Sequence, residues 1–350
     1  MNPLPLLSIC IPTHNRADTL RLTLENVLSE AEPLGARVEV VVSDNASTDH
    51  TKAVLAEFAG RIRQQSRPEN IGYFPNTMKM TQELARGRYI WVLGDDDMIL
   101  RGKLARVVDA IEAHPEVSLF YLNYSWIPVP ERDDLIRHGN SQALPGPETC
   151  NFLTSESCTL ERLEELALLP NRNSAGIFCA MFCYVLPSSF FREFGNSVVP
   201  LSFDKFSSRL DDIYPHSRIL LGAFHGKPVR FIGEPCLLQG MGAWDWGKYA
   251  VFYKLTPLHQ LLEYIETLGI EPTLMARMWT DFDVTAGRNL ARLILDPVAN
   301  HGIEVALAET VPRLGKHPAF WASFFRFYRA NEGPDPEEAL AHMFCHLFGG

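Results

Sequence analysis

Gly87-Arg88-Tyr89-Ile90-Trp91-Val92-Leu93-Gly94-Asp95-Asp96-Asp97 joins an unbroken apolar run to three consecutive carboxylates. The run from Tyr89 to Leu93, flanked by glycines and rich in aromatic and β-branched residues, reads as a strand buried on both faces. Strands of that kind belong to parallel sheets covered by helices. Two like charges about 4 Å apart repel by about 4 kcal/mol at an effective dielectric near 20. An acidic cluster at the mouth of a sheet therefore calls for a cation, raised pKa values or full solvation. A divalent ion meets that need: Mg2+ or Mn2+ takes a few hard oxygen ligands and completes its shell with water and diphosphate oxygens. The plainer alternative is a solvated acidic loop that caps the next helix.

Working outward from this stretch, the first 125 residues alternate between two hydrophobic periods. Leu6 to Ile11 is a short apolar run closed by Pro12, a second buried strand. Leu20, Leu24, Val27 and Leu28 then fall on one face of a helix. Val38 to Val42 is a third strand, ending at Ser43-Asp44-Asn45. Ser47 or Thr48 is placed to cap a helix carrying Val54, Leu55 and Phe58, with Gly60 as its stop. The spacing predicts further helices over Asn76 to Arg86 and Lys103 to Ala113, and a strand over Val117 to Tyr124. Strand–helix repetition of this kind implies an α/β fold, a mostly parallel sheet with helices on both faces. Ligands bind such sheets at the carboxyl ends of the strands. The turns after Ile11, Val42 and Leu93 are the places to search.

Beyond Ile127 the pattern weakens into loop as far as Pro170, with one helix near Leu160 to Leu168. Ile177 to Leu186 and Val229 to Leu238 read as strands, with a short helix from Pro187 and another over Asp211 to Phe224. After Trp246 the chain reads as all helical: Tyr249 to Leu268, Leu274 to Leu295, Ile303 to Thr310 and Ala319 to Ala330. The expected organisation is a nucleotide-binding half over 1–125, an acceptor-binding half over 126–245 and a C-terminal helical region over 246–350.

Composition bounds what such a chain does. Its 350 residues are 46% hydrophobic and 21% charged, which excludes a mostly disordered protein. A net charge of −10 argues against a nucleic-acid partner. Seven scattered cysteines without a CxxC pair suit reduced thiols and a cytoplasmic setting. Met1 to Ser8 lacks the basic start of a signal peptide. No stretch approaches the roughly 18 apolar residues of a membrane span. The aromatic segment Phe320, Trp321, Phe324, Phe325, Phe327 and Tyr328, with Arg326 and Arg329, is suited to peripheral contact with an anionic membrane. Docking within the chain, or a homo-oligomer through these C-terminal helices, suits it equally.

Three polar segments stand at the predicted strand ends, Pro12-Thr13-His14-Asn15-Arg16, Ser43 to Asp49 and Asp95-Asp96-Asp97, and a fourth, Asn70-Ile71-Gly72-Tyr73, falls between the last two. In this order and spacing they resemble family 2 glycosyltransferases, inverting nucleotide-sugar enzymes of GT-A fold. The Leu-Gly-Asp-Asp-Asp version is similar to a bacterial branch that includes abequosyltransferase-like enzymes of surface-polysaccharide synthesis. The resemblance covers residues 6 to 125, and His14 stands where a tyrosine is commoner. It implies that Asp44 recognises the nucleobase. It also implies that Pro12, Thr13, Asn15, Arg16, Asn45, Asn70, Gly72, Asp95 and Asp96 bind the nucleotide sugar, and that Asp95 and Asp97 hold Mn2+ or Mg2+. The implied partners are a nucleoside diphosphate sugar donor and a glycan or lipid-linked acceptor, at the inner face of the membrane.

Inverting transfer needs a base that deprotonates the acceptor hydroxyl. In this family the base is an acid that begins a helix, which points to Asp212, then Asp211, with Asp204 in reserve; the alternative is ordinary helix-start acids favoured by the dipole. Trp244 and Trp246 are candidates to stack on an acceptor sugar, or simply to pack. Two other classes remain open from sequence. One is a nucleotidyltransferase acting on sugar phosphates, against which stands the lack of glycine in Thr13 to Asp18. The other is a noncatalytic carbohydrate-binding protein on the same fold.

Overall fold

The structure is a computed structural model that describes residues 4–138, 146, 149–197, 209–242, 251–295, 308 and 311–331. It divides into two units. The first comprises Met1–Arg172, Ala180–Val199 and Ala223–Ala243; the second comprises Asn173–Cys179, Pro200–Gly222 and Trp244–Gly350.

The first unit opens with β1 (Leu7–Thr13), α1 (Ala17–Ala31), β2 (Val38–Asp44), α2 (Thr51–Glu57), β3 (Arg63–Ser66), α3 (Tyr73–Glu83) and β4 (Tyr89–Val92). It continues with β5 (Met98–Ile99), α4 (Lys103–Ala113), β6 (Leu119–Pro128), α5 (Val129–His138) and β7 (Cys158–Leu160). Strand β8 (Tyr184–Pro187), α6 (Ser188–Phe194) and β9 (Val229–Met241) complete it. All nine strands form one sheet in the order β3-β2-β1-β4-β8-β6-β9-β5, with β7 paired to β9. Strands β3, β2, β1 and β4 are parallel, as is the β6–β9 pair; β8 runs antiparallel to both of its neighbours. Every residue of β1 and β4 is buried, so helices cover both faces as the apolar runs implied. Helix α1 packs with α2, α4 and α5, whereas α3 packs on β1 and β2 with α6.

Helix α1 shows what holds these elements. Its N-cap residue, Arg16, makes no side-chain cap, and Asp49 Oδ2 accepts the Ala17 N–H at 3.1 Å instead. A lost cap costs about 1 kcal/mol, whereas Leu20, Leu24, Val27 and Leu28 are all buried. Each such side chain contributes about 1.5–3 kcal/mol on leaving water. Burial decides the helix. At α2 the cap comes from the last residue of the Ser47 to Asp49 run: Asp49 Oδ1 accepts the Thr51 N–H at 3.0 Å.

Several elements depart from the sequence pattern. Helix α5 occupies a stretch expected to be loop, and its charged face hides Arg132, which is fully buried. Strand β3 reads Arg-Gln-Gln-Ser, a polar edge strand with no apolar alternation to reveal it. Only the end of the Ile177 to Leu186 run is a strand; before it, Asn173 accepts the Gly176 N–H at 3.1 Å and makes a turn. An apolar run alone does not separate a buried turn from a strand.

In the second unit the expected helix over Asp211 to Phe224 is broken into α7 (Leu210–Ile213) and α8 (Pro215–Phe224). Pro215 drives Tyr214 out of helical geometry, to φ −124° and ψ 51°. Next come α9 (Thr256–Thr267), α10 (Pro272–Leu295), α11 (Val311–Leu314) and α12 (Pro318–Ala330). The helix expected over Ile303 to Thr310 lies outside the described residues apart from position 308. Phe320, Phe324 and Tyr328 form one buried stripe of α12, which packs on α10. Gly287 permits the contact, since a β carbon there would lie 2.1 Å from the Phe320 carbonyl oxygen. Among the described residues no helix is long and apolar enough to cross a membrane.

Candidate functional site

Parallel pairing aligns Thr13 with Asp44 and Asp44 with Ser66, so β1, β2 and β3 end at one level. The loops that follow are tied to each other by side-chain amides. Asn15 Oδ1 accepts the Thr48 N–H at 2.7 Å, and Ser47 Oγ accepts the Asn15 N–H at 2.8 Å. Asn45 Oδ1 accepts the Ile71 N–H at 3.0 Å, and Asn45 Nδ2 donates to Asn70 Oδ1 at 2.8 Å. Asn70 Oδ1 also takes the Gly72 N–H at 2.9 Å. Gly72, at φ 89°, begins α3, which therefore starts a turn earlier than its apolar spacing indicated. The amide side chains replace regular structure as the frame of the site.

Asp44 is fully buried. Its Oδ1 accepts the Ser47 N–H at 2.9 Å, whereas its Oδ2 has no hydrogen-bond partner among the described residues. A buried acceptor left unmet costs about 1–3 kcal/mol, which suits a group kept for a ligand.

The acidic triplet sits just past β4. Thr13 Oγ1 donates to Asp95 Oδ2 at 2.7 Å, and Arg16 pairs with both Asp95 and Asp96. Asp97 accepts the Gly94 N–H on Oδ2 at 2.9 Å and the Gly240 N–H of β9 on Oδ1 at 3.2 Å. Desolvation pushes the Asp95 carboxyl up, Arg16 opposes this and Asp96 reinforces it. Desolvation and then Asp96 push Asp97 up too, against the N–H groups of Gly94 and Gly240. Thr23 of α1 donates to the Asp95 carbonyl at 2.8 Å and receives a hydrogen bond from buried Arg132 at 2.9 Å. Sequence reasoning missed Thr23, Arg132 and Gly240. Only the Gly within an otherwise apolar strand end, a mark of close backbone approach, signalled any of them.

The donor chemistry fits a hard divalent cation. A β carbon at Gly94 would lie 2.7 Å from Asp97 Oδ2 and 2.9 Å from Asp96 Oδ1, so two carboxylates converge there. Among the described residues no group of three or more His, Cys, Asp or Glu forms a metal cage. An ion held by two carboxylates would complete its shell with water and a bound anion, the habit of Mg2+.

In the second unit, Asp211 is held by Arg218 Nη1 at 2.7 Å and 2.9 Å, whereas the Asp212 side chain is 1% exposed, with Arg209 at 3.9 Å. Asp204, Trp244 and Trp246 lie outside the described residues.

Residues 8–152 match the family model described as Glycosyl transferase family 2. The abequosyltransferase RfbV of Salmonella typhimurium is 30% identical over 118 residues, covering 33% of this chain and 35% of that protein. The succinoglycan biosynthesis protein ExoO of Rhizobium meliloti is 32% identical over 120 residues, covering 32% and 33%. The match thus spans about a third of the length of these curated relatives. Among solved structures, Staphylococcus aureus TarS 1-349 aligns at TM-score 0.53 and 14% identity, covering 96% of this chain and 91% of that one. The mannosyltransferase PcManGT from Pyrobaculum calidifontis, in complex with GDP-Man and Mn2+, aligns at TM-score 0.51 and 16% identity, covering 99% and 86%. At such identities the likeness concerns the fold alone. Motif order, family match and sheet architecture agree: residues 8–152 are similar to family 2 glycosyl transferases, and the chain has the GT-A fold.

Proposed function

We propose that this protein is a metal-dependent inverting glycosyltransferase that moves one sugar from a nucleoside diphosphate sugar to a glycan or lipid-linked acceptor in bacterial surface-polysaccharide synthesis. The observation that carries the reading is the set of acids at the strand ends: Asp44 with an unmet oxygen, and the Asp95 to Asp97 turn, whose first two acids pair with Arg16. The naming of RfbV as an abequosyltransferase, of ExoO for succinoglycan biosynthesis and of PcManGT for a complex with GDP-Man and Mn2+ supports it.

Within this reading residues 1–125 serve the donor and 126–245 the acceptor. Asp44 reads the base, while Thr13, Asn15, Arg16, Asn45, Asn70 and Gly72 shape the nucleotide pocket. Asp95 and Asp97 hold Mn2+ or Mg2+, with Asp96 Oδ1 converging on the same point as Asp97. When bound, the ion neutralises the charge that builds on the departing diphosphate. Arg16 orients Asp95 and Asp96, and Thr23 pins the backbone that carries them. Asp212, then Asp211, is the proposed base, since both stand in the first turn of α7. The base would take the acceptor hydroxyl proton as the new bond forms opposite the leaving nucleotide.

Asp97→Ala tests the reading. It should abolish donor turnover and metal-dependent nucleotide binding, both measured on the full chain. Turnover unchanged from wild type would remove the metal assignment.

A further inference from the structure

We propose that the nucleobase pocket of this chain is built for uracil or thymine, an inference that rests on the nucleotide-donor reading above. Three polar atoms at the ends of adjacent strands are buried and, among the described residues, have no hydrogen-bond partner: Arg67 Nη2 after β3, Asp44 Oδ2 at the end of β2 and His14 Nδ1 after β1. Arg67 and Asp44 are 8% and 0% exposed. Buried polar groups in folded proteins are as a rule satisfied, so three orphans together need an explanation.

The proton on His14 can be placed by following the amides. Backbone N–H groups only donate, so the oxygens of Asn15 and Asn70 are fixed by Thr48 and Gly72, at 2.7 Å and 2.9 Å. Both amide nitrogens then face His14 Nε2, at 3.2 Å and 3.1 Å. Two NH2 groups aimed at one ring nitrogen make Nε2 the acceptor and leave the proton on Nδ1. The orphan on His14 is a donor. Arg67 is pinned through its other nitrogens, Nη1 to Glu83 at 2.8 Å and Nε to Asn76 at 3.4 Å, so Nη2 is a donor as well. The Asp44 carboxylate oxygen accepts.

Strand order β3-β2-β1 sets these groups out as donor, acceptor, donor, with Asp44 in the middle. Neighbouring strands are about 4.8 Å apart, so the two outer donors are set about 10 Å apart, the span of a pyrimidine edge with a hydrogen bond at each side. The complement is acceptor, donor, acceptor: the O4, N3–H and O2 edge shared by uracil and thymine. Cytosine presents donor, acceptor, acceptor, guanine presents acceptor, donor, donor, and adenine has no carbonyl. A site built to hydrogen-bond one edge rejects another because its own buried groups are left unpaired.

Calorimetric titration of the full chain with Mn2+ and each of UDP, dTDP, CDP, GDP and ADP tests the inference. UDP or dTDP should bind at least about tenfold more tightly than the other three. Equal or tighter binding of CDP, GDP or ADP overturns the base assignment and leaves the donor reading standing. No binding by any of the five overturns the donor reading and this inference with it. His14→Phe keeps a ring but removes the Nδ1 donor, and Asp44→Asn offers a donor in place of the acceptor. Each should narrow the ratio of UDP to CDP affinity by about tenfold. A ratio left at the wild-type value, with both affinities falling together, would mean a merely structural role and overturn the assignment.

Discussion

Asp95 and Asp97 flank the same aspartate, yet different groups hold them: Arg16 and Thr13 the first, two backbone N–H groups the second. Arg16 and Asp95 are 10% and 7% exposed, so removing the cation strands a desolvated carboxylate. Arg16→Met should therefore cost on the order of 3 kcal/mol, read as a lower urea midpoint with an unchanged slope. His216 carries the opposite sign of charge effect. Its Nε2 donates to the Cys179 carbonyl at 2.9 Å, and burial holds its pKa down at about 4, against the pull of that hydrogen bond. The unfolded chain takes up this proton near pH 6.5. Unfolding thus binds the proton first as pH falls, and stability is present above that value and lost through the interval down to about 4. The melting temperature should drop between about pH 7 and pH 5, and His216→Gln should flatten the slope; an equally steep slope in the variant would assign the effect elsewhere.

Helices and strands carry their own lessons. The close crossing of α12 over α10 at Gly287 leaves no room for a methyl group, because it would meet a backbone oxygen rather than a yielding side chain. Gly287→Ala should destabilise by about 1–3 kcal/mol, measured by calorimetric melting, although alanine is the better helix former. That aromatic stripe was legible from sequence as an apolar face, but not its partner: periodicity reports that a face is buried, never against what. Where sequence and environment agree, as in Lys103–Ala113, even the boundaries matched. Strand β3 and helix α5 escaped because their residues are polar, and their places are set by pairing and by Arg132 reaching Thr23. The acidic triplet and Asp44 were legible because carboxylates directly after buried strands are costly without a purpose. The proton on His14 was not, since only the fixed amides of Asn15 and Asn70 assign it.

At the scale of the molecule, no disulfide joins the six described cysteines, and burial pushes the thiols of Cys10 and Cys236 up, that of Cys236 to about 12. Reductant should therefore leave the melting temperature unchanged. A thiol reagent should modify Cys10 and Cys236 only as fast as the protein unfolds, followed by mass spectrometry of quenched samples. Unit boundaries matter as well, because the first unit is assembled from three separate chain segments. The family match ends at residue 152, yet the Gly240 N–H that holds Asp97 comes from β9. A β carbon at position 240 would lie 2.1 Å from the Asp96 carbonyl oxygen, so that strand lies directly against the acidic turn. An excised fragment stopping at the motif border would carry every recognisable signature of its kind and still lack the anchor for its last aspartate. Grafting experiments that swap such domains between relatives must carry the distant strand along, or the transplanted turn arrives without its clasp.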